Sequence, residues 1–273
     1  PLVSFAAQSI ATSIYLFFDS ILLGMLSSDN VQVGFYQLAS KLKGVCWSVI
    51  NAIVGVLVPR LSYYAKHSIG QYRGLVQSGF GIVCNLCLGL CLYLIVEARS
   101  LTIWVSTGKY LDAVMAVRLI GLVSLFSCMS TFFASCILTP LDREGRLAIA
   151  NMAGVPISLI GNLLLDARLG ATGAALSMLV AEIIIFAMQV RYSWDVLCKS
   201  ISIRRLIRML GCHVCAVTSL VLVCVSMLAE QYAAQVVIGM VVYGTVWLIC
   251  GLLLHEETVT WLCGLIRDKS PKK

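Results

Sequence analysis

Residues 233–254 read AAQVVIGMVVYGTVWLICGLLL, a run without one charged side chain. A helix needs about 20 apolar residues to cross ~30 Å of hydrocarbon, and this run is long enough. Seven more stretches of the same character fill most of the chain: 2–26, 35–59, 79–97, 113–138, 147–165, 171–190 and 209–228. None alternates with period two, which excludes a closed barrel, the other architecture that satisfies its backbone groups in lipid. The expected fold is an all-α polytopic membrane protein of about eight transmembrane helices.

Composition agrees with that class. Of 273 residues, 60% are hydrophobic and only 12% charged, with a mean hydropathy of +0.94. No inter-helix segment is long enough to build a separate soluble core. The net charge of +7 would suit a nucleic-acid partner, but its distribution points elsewhere. Lys and Arg gather in alternate connections: Arg60, Lys66 and Arg73; Arg143 and Arg146; Arg191, Lys199, Arg204, Arg205 and Arg208; and a tail with Arg267, Lys269, Lys272 and Lys273. The intervening connections hold only Arg99, Lys109 and Arg168. This is the positive-inside pattern. It predicts that both chain ends are cytoplasmic and that residues 27–34 lie outside, and it gives nucleic acid no role.

The first stretch lacks an initiator Met, a charged n-region and a cleavage site, so it does not read as a signal peptide. An abrupt cytoplasmic start is what an even number of preceding helices would leave. The chain is therefore expected to be the C-terminal portion of a longer transporter. Most of the twelve cysteines lie within apolar stretches, where they read as packing thiols and not as a disulfide framework. Cys212-His213-x-Cys215 has no second Cys/His pair beside it and likewise reads as packing.

Polar residues inside spans are costly against lipid, so their angular positions are informative. Gln8, Thr12, Tyr15 and Asp19 form one stripe on the first helix; Lys41, Gly44, Ser48, Asn51 and Gly55 form another on the second. The fourth carries Gly121, Ser124, Cys128, Thr131 and Ser135, with Arg118 to one side, and the fifth carries Asn151, Gly154, Ser158 and Asn162 around Pro156. Small residues at these positions suit helix packing. The ionisable Asp19, Lys41 and Arg118 suit a cavity or a partner, whereas Lys43 and Arg60 sit nearer helix ends and can snorkel. The last two spans are almost unbroken apolar sequence and read as peripheral. The chain thus divides into a six-helix lobe (1–190), a basic cytoplasmic linker (191–208) with an amphipathic surface stretch at 201–210, and two accessory helices with a basic tail (209–273).

A cavity lined by Lys41, Arg118 and Lys43 would attract an anion, while Asp19 and Glu182 are the intramembrane carboxylates able to titrate or hold a cation. No nucleophile–base pair, phosphate-binding glycine loop or metal-ligand cluster stands out, and no enzymatic activity is expected.

Several segments resemble the polysaccharide flippase family (Wzx-type transporters of O-antigen and capsule repeat units), part of the multidrug, oligosaccharidyl-lipid and polysaccharide exporter superfamily. They are Asp19-Ser-Ile-Leu-Leu-Gly24, Gly34-Phe-Tyr36, Val58-Pro59-Arg60-Leu61, and above all Asn162-Leu-Leu-Leu through Gly170-Ala-Thr-Gly-Ala-Ala175 to Ala181-Glu182. Ala167 stands where the family's outer turn usually has Pro, Asp166 is less typical there, and Cys136 replaces a polar residue often found before the Leu-x-Pro of the fourth span.

The resemblance implies fourteen helices in two pseudo-symmetric six-helix lobes plus two extra helices, of which this chain would supply the last eight. It implies movement of polyprenyl-pyrophosphate-linked oligosaccharides across the bacterial inner membrane, with no cofactor beyond H⁺ or Na⁺ coupling. Lys41, Lys43 and Arg118 would engage the pyrophosphate. Gln8, Tyr15, Asn51 and Asn162 would bond sugar hydroxyls, and Asp19 and Glu182 would serve the coupling ion. The expected partners are that lipid-linked substrate, the missing N-terminal lobe, the bilayer and, as a further candidate, a glycan polymerase. Two readings compete: a multidrug or cation antiporter of the same superfamily, which would prefer an anionic cavity, and a non-transporting scaffold for a glycan-synthesis complex.

Overall fold

The structure, a computed structural model, describes residues 18–27, 29–200, 203–226, 231–254 and 258–260. Most of the first expected span lies outside them, with Gln8, Thr12 and Tyr15, as does the basic tail. The chain forms α1 (18–26), α2 (Val31–His67), α3 (Ile69–Val96), α4 (Ala98–Ser106), α5 (Val114–Phe132), α6 (Glu144–Leu169), α7 (Ala171–Ser200), α8 (Ile203–Ser226) and α9 (Tyr232–Leu253). No strand occurs among the described residues. Seven of the described helical segments are long and apolar enough to cross a membrane, so this is an all-α, multi-pass membrane protein.

Hydropathy marked only the part of each helix that suits hydrocarbon, and several helices run further. The second was expected to end near Pro59. Instead α2 continues through Pro59 to His67, and α3 begins at Ile69 with only Ser68, in extended conformation, between them. Proline removes one backbone donor, but Pro59 is exposed and the helix resumes beyond it. At 1.5 Å per residue the 37 residues of α2 span ~55 Å, well beyond a ~30 Å core. The charged residues expected in a loop, Arg60, Lys66 and Arg73, are therefore helical.

The basic segment after residue 190 departs in the same way. Residues 191–200 extend α7, and α8 runs from Ile203 to Ser226 without a break at residue 210. The described part of the expected surface stretch is thus the first two turns of a spanning helix.

At the centre, α5 packs on α2, α3 and α7. Its end is not plain α-helix: residues Phe133–Leu138 form a π-helix, the wider turn that often marks a locally specialised site. Tyr72 of α3 is buried and donates its hydroxyl to the Cys136 carbonyl of that turn at 3.2 Å. Phe80, Phe132 and Phe133 form an aromatic cluster around it. Cys84, Cys87, Cys91, Cys128 and Cys136 are buried thiols in this interior, as the packing reading anticipated.

Helices α6 and α7 form an antiparallel hairpin turned at Gly170, whose backbone (φ +56°, ψ −133°) strongly favours glycine. The turn is tied to the start of α2, because the Ala171 N–H donates to Gln32 Oε1 at 3.0 Å. Helices α8 and α9 make a second hairpin, docked on α3 and α4. Exposed Val237, Met240, Val241, Leu248 and Leu252 cover α9 with apolar surface suited to lipid.

Candidate functional site

The buried face of α6 repeats every fourth residue: Ala150, Gly154, Ser158, Asn162 and Asp166. An i, i+4 row lies along one side of a helix. Here that side is polar, and it faces α1, α2 and α7. Asp19 of α1 is the hub. Its Oδ1 accepts from Asn162 Nδ2 at 2.7 Å and from Ser158 Oγ at 3.1 Å, and its Oδ2 accepts from the buried Tyr36 hydroxyl at 3.2 Å.

Asp166 lies one turn beyond Asn162 and is 1% exposed. Both its carboxylate oxygens are buried without a hydrogen-bond donor among the described residues, and so is the side-chain oxygen of Asn162. Asp166 is close enough to Asp19 and Tyr36 for their charges to interact. A buried acceptor without a donor costs about 1–3 kcal/mol, and more if charged. The cluster therefore combines two carboxylates, an amide oxygen and hydroxyls in a low-dielectric interior, with more acceptors than donors. A proton on Asp166 or a hard monovalent cation, which prefers oxygen ligands, would satisfy it.

A second pair lies beside the hub. Lys43 Nζ is 3.7 Å from Glu182 Oε1, both side chains are largely buried, and Met178 Sδ lies 3.7 Å from the same ammonium. Tyr36 also reaches Met178, at 3.5 Å, linking the pair to the cluster. Glu182 is thus matched by a cation while Asp166 is not.

Among the sequence-predicted residues the structure brings together Asp19 and Asn162, and Lys43 with Glu182. Asn162 is fully buried and turned to Asp19. Lys41, Asn51 and Arg118 are exposed. Neither Lys41 nor Arg118 forms a side-chain hydrogen bond or ion pair among the described residues. Gly44 and Gly55 on the Lys41 stripe border open space. Gln8 and Tyr15 lie outside the described residues.

Sequence reasoning had left Asp166 to a turn. Its signal was the continuing four-residue spacing from Gly154 through Ser158 and Asn162, because α6 runs on to Leu169. Of the Cys-His-x-Cys segment, Cys212 is buried, Cys215 exposed, and His213 Nδ1 is 2.8 Å from the Tyr243 hydroxyl between stacked rings.

The fold and this intramembrane polar cluster define a multi-pass helical membrane protein with an ionisable interior site. Residues 3–65 match the family described as polysaccharide biosynthesis protein, a segment that includes Asp19, Tyr36, Lys41, Lys43 and Asn51. This match relates the chain to membrane proteins of polysaccharide biosynthesis. No curated protein and no solved structure matches the chain.

Proposed function

We propose that the chain forms the ion-coupled part of a flippase for polyprenyl-pyrophosphate-linked oligosaccharides in a bacterial inner membrane. The match over residues 3–65 supports the polysaccharide setting. The observation that carries the transport reading is Asp166, a buried carboxylate without a donor among the described residues, beside the Asp19–Asn162–Ser158–Tyr36 cluster. Ionisable groups inside membrane spans are expensive and mark ion or proton pathways.

In this reading Asp19 and Asp166 share the coupling proton or Na⁺, with Asn162 and Ser158 orienting Asp19. Binding draws α1 and α6 together, because the two carboxylates repel when both are charged and bare. Release lets them separate, and this biases the alternation between inward and outward states. Glu182 neutralises Lys43 and competes with an anionic substrate for it. Lys41 and Arg118 are exposed cations free to meet the pyrophosphate, and Asn51, Gln8 and Tyr15 are the remaining candidates for the sugars. Asn162 passes from the glycan set to the ion set, because it is buried and already bonded to Asp19.

The acidic cluster also gives the antiporter reading one observation in its favour. Its groups are fully or largely buried and bonded to one another, which suits a small ion better than an organic cation.

The test uses a strain deleted for the complete gene. Stranding of lipid-linked repeat units on the cytoplasmic leaflet, rescued by the wild-type gene but not by Asp166→Asn or Arg118→Ala, is expected. Normal sidedness of those units in the deletion strain would overturn the reading.

A further inference from the structure

An apolar cavity lies away from the ionisable cluster, where α8 leans on α3, α5 and α7. It has a volume of about 670 Å³, within the range of small-molecule sites. Its walls include Phe80 and Cys84 of α3, Phe126 of α5, Phe186 of α7 and Met209 of α8, and every lining side chain is apolar or sulfur-bearing. Val190 and Trp194 also line an adjoining open cleft of about 550 Å³, whose remaining walls are Ala187 and Arg191.

That mouth is basic. Arg191 lines it, Arg204 and Arg208 are exposed on the first turns of α8, whose Leu206, Met209 and Leu210 line the cavity, and the Arg205 guanidinium crosses to α3, donating to the Gln77 carbonyl at 3.3 Å. Of the described carboxylates at this end, Asp195 is held by Arg143 in a two-pronged pair at 2.6 and 2.7 Å, and Asp142 and Glu144 flank that same arginine in the connection to α6. Asp195 holds the Arg143 guanidinium above its usual pKa range, so the charge is committed on both sides. The mouth therefore keeps its positive excess. By the positive-inside pattern it sits at the cytoplasmic surface.

We infer that this cavity is a binding site for an anionic phospholipid of the cytoplasmic leaflet. One acyl chain lies between α8 and the α3–α5–α7 wall, and the phosphate headgroup rests among Arg191, Arg204 and Arg208. An empty apolar cavity of this size would forfeit the dispersion contacts of its walls, and bilayer lipid is the apolar ligand present in greatest excess. A neutral headgroup would leave the arginines without a counter-charge, whereas each basic residue near a membrane surface favours an anionic lipid by about fivefold. The site stands on geometry and charge at the α7–α8 junction, independent of the transport reading.

The test follows Trp194 in the full 273-residue chain, purified in detergent, as brominated phosphatidylglycerol or phosphatidylcholine is added. The Trp194 signal is the difference between wild type and Trp194→Phe. We expect phosphatidylglycerol to quench it at a mole fraction roughly 100-fold lower than phosphatidylcholine, about fivefold for each of the three arginines. In Arg191→Gln/Arg208→Gln the phosphatidylglycerol curve should move about 25-fold toward phosphatidylcholine, the product of two fivefold losses, with the phosphatidylcholine curve unmoved. Leu125→Phe, which adds a ring inside the cavity, should weaken quenching by both lipids. The arginine variants are surface changes, and an unaltered elution profile verifies their fold. Equal quenching by the two lipids in wild type would overturn the assignment, as would a preference undiminished by loss of both arginines. Displacement of brominated phosphatidylglycerol by a substoichiometric polyprenyl phosphate would also overturn it, giving the cavity to an isoprenoid tail instead.

Discussion

Two helical hairpins of this protein differ in how far they satisfy the buried carboxylate beside them. In α8–α9, polar groups bridge the hairpin to the rest of the bundle. Tyr93 donates to the Val236 carbonyl at 2.6 Å and the Cys224 thiol to Glu97 Oε1 at 2.9 Å, leaving only Glu97 Oε2 of that carboxylate without a partner among the described residues, while within the hairpin His213 meets Tyr243. In α6–α7, Asp166 has no donor for either oxygen among the described residues, and its neighbours Asn162 and Ser158 are spent on Asp19. The first arrangement is that of a joint and the second that of a site awaiting an ion. Polar residues in a membrane helix do not by themselves indicate transport; the balance of donors and acceptors separates the two cases.

The largest effect that would test this contrast is at Asp166. Asp166→Asn supplies donors where the described residues offer none, so translocation of lipid-linked repeat units should fall more than tenfold. The purified protein should meanwhile melt higher in Na⁺-free buffer, by several degrees, since about 1–3 kcal/mol of unmet polarity is relieved. A variant that loses activity and stability together would instead make Asp166 a joint like Glu97.

Gly170→Ala comes next. It places a side chain at φ +56° and against Gln32, and should cost about 2–3 kcal/mol, read as a lower melting temperature. Gly239→Val drives a branched side chain into Leu220 and Glu97. It should cost about 1–3 kcal/mol by overpacking, and should expose α8–α9 to protease before the rest of the bundle. The smallest effect is expected at Arg143→Gln, which removes the half-exposed pair with Asp195 and should cost no more than about 1 kcal/mol, again by thermal melting.

The multi-pass helical class was legible because hydrocarbon thickness imposes a length that hydropathy records directly. Helix ends were not. Arg60 to Arg73 and residues 191–200 are charged, so they look like loops, yet nothing prevents charged helix from projecting past the bilayer. α4 escaped notice because nine residues are too short to register as a span. Within the site, the Ser158–Asn162 stripe and Asp19 were readable from spacing alone. Asp166 was hidden by the assumed end of α6, and the pairing of Lys43 with Glu182 could not be read because it joins helices far apart in the chain.

The wide turn at Phe133–Leu138 amounts to an α-helix with one residue too many. One residue is about 100° of rotation at 3.6 per turn, so the last turn of this helix is rotated by that surplus before the connection at Thr139–Arg143 leads into α6. Deleting a single residue from this turn would leave composition and hydropathy almost untouched. It would also withdraw the Cys136 carbonyl from Tyr72. The meeting of α3 with the end of this helix thus depends on a residue count, a kind of information that no substitution scan would uncover.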